Sequence, residues 1–124
     1  MATVNPEEIL KDIEELYRKI EQCNRSIVDY QTNIRTEEAS KLDLELLIKD
    51  EERRKKAGKR VHYDVPSLSE NIERCNKNIE LFNDKIVEEN NTIKKFRYII
   101  ETLREDMKRP NEIIIDLRQN RQRT

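Results

Sequence analysis

A single glycine in 124 residues leaves this chain with almost no means of turning tightly, because glycine is the residue that enters left-handed backbone conformations without steric cost. Sandwiches, barrels and compact α/β folds turn every few residues, so the composition excludes them and asks for a few long elements. The same scarcity excludes a glycine-rich phosphate loop. Tryptophan is absent, aromatics make up 5% of the chain and there are three prolines. The lone histidine, His62, offers no histidine pair for a metal, and neither cysteine has a histidine at a useful spacing. Carboxylates are plentiful, but on solvated helix faces they lack the pocket that acid–base chemistry requires. The expectation is therefore a protein that is not an enzyme and uses no metal or cofactor. No apolar run approaches the length of a transmembrane helix and no secretory signal is visible. Cytoplasmic residence is expected, with the nucleus as the alternative.

What is present is charge and rhythm. Charged residues are 41% of the chain and nearly balanced, Lys+Arg 25 against Asp+Glu 26, while hydrophobic residues are 35%. Those hydrophobic residues are not scattered. Steps of four and three lead from Ile9 through Ile13, Leu16, Ile20, Cys23, Ile27 and Tyr30 to Ile34 without meeting a polar side chain. Chance in one fixed frame is roughly 2 in 10,000. A second run passes through Leu68, Ile72, Cys75, Ile79, Phe82, Ile86, Glu89, Ile93, Phe96, Ile100, Leu103 and Met107, with Glu89 its one polar member. A period of 3.5 residues is the mark of a left-handed coiled coil.

The two runs share a phrase, IEQCNRSI at 20–27 and IERCNKNI at 72–79. Isoleucine occupies the a positions of both, and Cys23 and Cys75 fall at equivalent d positions. The repeat is thus a repeated packing layer rather than a repeated chemical site. Both cysteines are expected to be reduced, buried and small core residues of an intracellular protein.

Local signals set the boundaries. Asn5-Pro6-Glu7-Glu8 combines a cap, a first-turn proline and two acids at the positive end of a helix. Gly58 offers a stop, preceded by Arg53, Arg54, Lys55 and Lys56. Ser67-Leu68-Ser69-Glu70 has the spacing of a capping box, and Pro110 is expected to end the second helix. The resulting expectation is an all-α single domain over 1–124: helix one at about 6–57, a basic loop at 58–66, helix two at about 67–109 and a C-terminal docking segment at 110–124. Folded back as a long antiparallel coiled-coil helical hairpin, the two seams mate best when facing residue numbers add to 123. That register sets Ile27 against Phe96, Tyr30 against Ile93 and Ile48 against Cys75, and registers one heptad to either side keep the same phase. A parallel homodimer is the alternative.

The flanks carry uncharged amides, among them Asn24, Gln31, Asn76, Asn78 and Asn83, where two-stranded coils usually place Glu and Lys. Leu10, Leu42, Leu46, Leu47 and Leu81 also fall outside the seam. Both features point to a dimer or multi-helix bundle, hence to protein partners that are themselves helical.

Two segments exceed what the seam requires. Arg53, Arg54, Lys55, Lys56, Lys59 and Arg60 concentrate six cations at the turn, a candidate site for an acidic protein surface, anionic lipid or, less favoured, nucleic acid. Ile113, Ile114, Ile115 and Leu117 form the other candidate contact, since consecutive isoleucines cannot all face one seam. In outline and length, the order of helix, proline-containing loop and helix resembles Rho-effector antiparallel hairpins and the small helical tubulin-folding cofactors. That resemblance implies a small-GTPase effector or cytoskeletal chaperone role. Prefoldin-type chaperones are set apart by β-hairpins at the turn, for which 59–67 is too short. The leading expectation is a coiled-coil scaffold or assembly subunit.

Overall fold

The computed structural model describes the backbone of residues 5–122 and the side chains of residues 5–108. It is an all-α helical hairpin of two helices packed against each other, α1 (Pro6–Lys56) and α2 (Val65–Gln122), with no strand among the described residues.

Each helix end has an identifiable cause. The Asn5 side chain accepts the Glu7 amide at 3.0 Å, and the Asn5 carbonyl accepts the first intrahelical bond from Ile9 at 3.2 Å. Asn5 is thus the cap and Pro6 the first helical residue, where its missing N–H costs nothing. At the other end Gly58 adopts φ 68°. The Gly58 amide reaches the Lys55 carbonyl at 3.2 Å and the Lys59 amide reaches Arg54 at 2.8 Å. That pair of bonds is the Schellman closure, and it requires the left-handed conformation that only glycine adopts freely.

The second helix departs from expectation at both ends. Its cap is Asp64 rather than Ser67: the Asp64 carbonyl accepts the Leu68 amide at 3.1 Å, and the Ser67 hydroxyl donates to the Asp64 carboxylate at 3.0 Å. Pro66 does not bar this early start, because the first-turn amides have no intrahelical partner in any case. At the far end α2 does not stop at Pro110 but continues to Gln122. An interior proline forfeits its own hydrogen bond and crowds the preceding turn, at about 3 kcal/mol. The bonds on either side are untouched, and the neighbouring Arg, Glu, Met, Lys and Leu residues are good helix formers.

The heptad seam appears directly in the burial pattern. Ile9, Ile13, Ile20, Leu68, Cys75, Ile93 and Ile100 are buried. Leu16, Cys23, Ile27, Tyr30, Ile34, Ile72, Ile79, Phe82, Ile86, Glu89, Phe96, Leu103 and Met107 are half-buried. Nearly every other described position is exposed, as a stripe of period 3.5 requires. The stripe runs on past Ile34 through Glu37, Lys41, Leu44 and Ile48, all half-buried, to Glu51, which is 2% exposed.

Helix–helix contacts gather into two compact units, Met1–Asn24 with Asn90–Thr124, and Arg25–Glu89. In the first, Lys19 Nζ lies 5.9 Å from the Phe96 ring centre, and Arg104 sits over the Tyr17 ring at 5.8 Å while donating to its hydroxyl. In the second, the Tyr30 and Phe82 rings lie 6.1 Å apart and Asn78 donates to Glu37 at 3.2 Å.

These contacts correct the expected register. Phe96 is reached by Lys19 rather than Ile27, and Tyr30 meets Phe82 rather than Ile93. Cys75 is set beside Glu37 and Lys41 rather than Ile48. Apart from the long Arg104 side chain, which reaches Tyr17, these facing residue numbers add to between 112 and 116, about one heptad from 123, so the a-to-d phase survives while the partners change. The loop explains the slip. Residues 59–64 are not helical, and an extended residue advances about 3.3 Å where a helical one advances about 1.5 Å. The returning chain therefore retreats further along α1 before α2 begins than residue counting allows.

Candidate functional site

The turn is built from the inside outward. Glu51 closes the seam at the end of α1, and its buried carboxylate accepts the His62 backbone amide at 3.0 Å. A carboxylate at the end of the stripe looks like an interruption in the sequence. In the structure it is the anchor that folds the loop onto the hairpin. The signal that would have found it is the unbroken heptad spacing that leads from Ile34 to position 51.

Outside that anchor the chain is open to solvent. Arg53, Lys55, Lys56, Lys59 and Arg60 are exposed and Arg54 is half-buried. Arg54 pairs with Asp50 at 3.1 Å, and the other five show no ion pair among the described residues. Asp50, Arg53, Arg54, Ala57 and Lys59 line a shallow depression that is open to solvent. Val61 and Tyr63 flank the pinned His62 amide and are themselves 44% and 53% exposed. Of the six cations, Arg53, Arg54 and Lys59 line that one depression, and the exposed Val61 and Tyr63 follow in the same loop.

The helix faces supply a second kind of surface. Leu10, Leu42, Leu46 and Leu81 are each exposed over half or more of their area. Val28, Val87 and Tyr98 stand out similarly, whereas Leu47 is half-buried. Beside Leu42, a groove in the unit Arg25–Glu89 is lined by Glu38, Lys41, Glu45, Asn76 and Ile79. The flanking amides Asn24, Gln31, Asn76, Asn78 and Asn83 are exposed as well.

Neither cysteine is in a disulfide. Burial is the main cause that pushes the Cys75 thiol above its ordinary range; its hydrogen bond to Glu37 and the Glu37 charge add to this, and Lys41 opposes it. A thiol held protonated is a poor nucleophile, which suits a packing role. No cluster of side chains suited to a metal is found among the described residues, and none of their helices is long and apolar enough to cross a membrane. The side chains of Ile113, Ile114, Ile115 and Leu117 lie outside the described residues, although their backbone is helical. Comparison with family models, with curated proteins and with solved structures gives no match to this chain.

Proposed function

We propose that this hairpin is a coiled-coil scaffold or assembly subunit of the cytoplasm, without enzymatic activity, that acts by packing its helix faces against other helices in a homo- or hetero-oligomer. The observation that carries this reading is the set of leucines outside the seam, Leu10, Leu42, Leu46 and Leu81, left largely in water by the hairpin alone. Leu42 and Leu46 lie one turn apart on α1, and neighbouring exposed apolar side chains on a helix mark a surface for another protein. The half-buried state of most seam residues supports the same reading, since two helices cover a seam from one side and a third or fourth helix completes the cover.

The test is a triple substitution, Leu42→Glu, Leu46→Glu and Leu81→Glu. All three sites lie away from the seam, so circular dichroism should show unchanged helicity. Light scattering should report at least two chains for the wild type and a single chain for the variant, and helical partners recovered from native cells should be lost. A wild type that is monomeric and recovers no stoichiometric partner refutes the proposal.

A further inference from the structure

We infer that the loop joining α1 and α2 docks on the surface of an anionic phospholipid bilayer, with the basic cluster facing the headgroups and Val61 and Tyr63 entering the interface between them. Arg53, Arg54, Lys55 and Lys56 occupy the last turn of α1, where cations complement the negative helix end. Lys59 and Arg60 lie beyond the reversal at Gly58, outside the helix, and add to the cations that the helix itself carries.

From Arg53 to Tyr63 the chain carries six cations and no carboxylate. A cluster of this size near a negatively charged leaflet gains roughly 1 kcal/mol per basic residue, which is tenfold in binding for every 1.4 kcal/mol. Charge alone does not distinguish lipid from nucleic acid or an acidic protein. Val61 and Tyr63 do. An aliphatic side chain has no role on a phosphate backbone, and a single tyrosine makes no stacking platform for bases. Tyrosine close to an aliphatic residue, following a run of lysine and arginine, is the side-chain chemistry of the membrane interface. Their exposure is enforced, because the loop is tied at His62 to the buried Glu51 and Val61 and Tyr63 stay outside.

The test is co-sedimentation of the full chain with phosphatidylcholine vesicles containing about 30% phosphatidylserine, alongside pure phosphatidylcholine vesicles and a duplex oligonucleotide. Binding to the phosphatidylserine vesicles alone is expected. Raising salt from about 0.1 M to about 0.5 M should weaken it at least about tenfold. The variant with Arg53→Gln, Arg54→Gln, Lys55→Gln and Lys56→Gln should lose at least about tenfold in affinity. Val61→Ser with Tyr63→Ser should lose a similar factor with its charge intact. All six positions are exposed or half-buried, so the helical spectrum serves as the folding control. The Leu42→Glu, Leu46→Glu and Leu81→Glu chain should sediment as the wild type does, which separates this inference from the scaffold reading. Absence of vesicle binding, equal binding to both vesicles, or an unchanged Gln variant overturns it. Oligonucleotide binding without vesicle binding overturns it too, and reassigns the cluster to nucleic acid.

Discussion

Replacing Glu51 tests the internal logic of the turn. The carboxylate is 2% exposed and receives the His62 amide at 3.0 Å, so Glu51→Ala removes the acceptor and leaves a part-buried N–H unpaired. An unsatisfied buried donor costs about 1–3 kcal/mol, and the lost packing of the two methylenes adds to it. A total of about 2–4 kcal/mol is expected, a shift of about 8–16 °C in Tm at about 4 °C per kcal/mol for a chain of this size. Glu51→Gln keeps an acceptor oxygen and nearly the same volume. It trades a charge-assisted bond for a neutral one while relieving the burial of a charge, so it should cost about 1 kcal/mol or less. Thermal unfolding by circular dichroism measures both, and amide exchange at His62 should be fast in the alanine variant and slow in the glutamine one. An alanine variant as stable as the wild type, or a glutamine variant as damaged as the alanine one, would refute the anchoring role.

Four further outcomes follow from the same packing. Ile100→Ala should cost about 2–5 kcal/mol because Ile100 is 3% exposed, whereas Ile99→Ala, one residue away and 42% exposed, should change urea stability by about 0.5 kcal/mol or less. Cysteines replacing Glu37 and Asn78, in a chain with Cys23→Ser and Cys75→Ala, should be joined by a short thiol cross-linker. Cysteines at Glu37 and Ile86, which face each other only in the 123 register, should not. A thiol reagent should label half-buried Cys23 before buried Cys75, with both reacting at once in denaturant. Because the fold raises the Cys75 thiol, the stability it contributes is fully present below the ordinary thiol value and is lost as pH rises through the higher folded value. The fall in urea midpoint between about pH 7 and about pH 10 should therefore be smaller in Cys75→Ala than in the wild type.

Legibility in the sequence followed the reach of each signal. The seam was readable because one periodic rule governs more than twenty positions at once, and every residue from Ile9 to Ile34 on that rule is buried or half-buried. Asn5, Pro6 and Gly58 were readable because caps act through bonds two to five residues long. The heptad register was not readable. It depends on how far an irregular loop advances per residue, and the hydrophobic pattern is unchanged by a shift of seven. Asp64 was missed as a cap because Ser67 had the better local spacing, yet the Ser67 hydroxyl instead donates to the Asp64 carboxylate. Continuation through Pro110 is not legible locally, because proline is a stop signal that the helix formers on both sides here override. At the turn, the cations were visible by composition alone. The exposure of Val61 and Tyr63 follows from the Glu51 anchor, a contact across eleven residues that no local rule contains.

The polar middle of the seam gives a physical reason for the register that is adopted. A purely apolar a/d stripe tolerates sliding by a heptad, since each isoleucine finds another apolar partner. Glu37, Lys41 and Glu89 break that tolerance, because half-buried polar groups are costly wherever they lack partners. In the observed register Glu37 accepts from Asn78 and from the Cys75 thiol, and Lys41 lies close enough to act on the same thiol. Shifted to the 123 register, Glu37 would face Ile86 and Lys41 would face Phe82, with no donor or acceptor opposite either. The α1 side of the seam around Glu37 thus gives up some burial, its seam positions from Cys23 to Ile48 being half-buried, and in exchange it makes the competing alignments worse. This is the use of a polar core position best attested in helical assemblies. It also locates the weakest enclosure of the hairpin beside Leu42 and Leu46, where an added helix would gain the most by covering what two helices leave open.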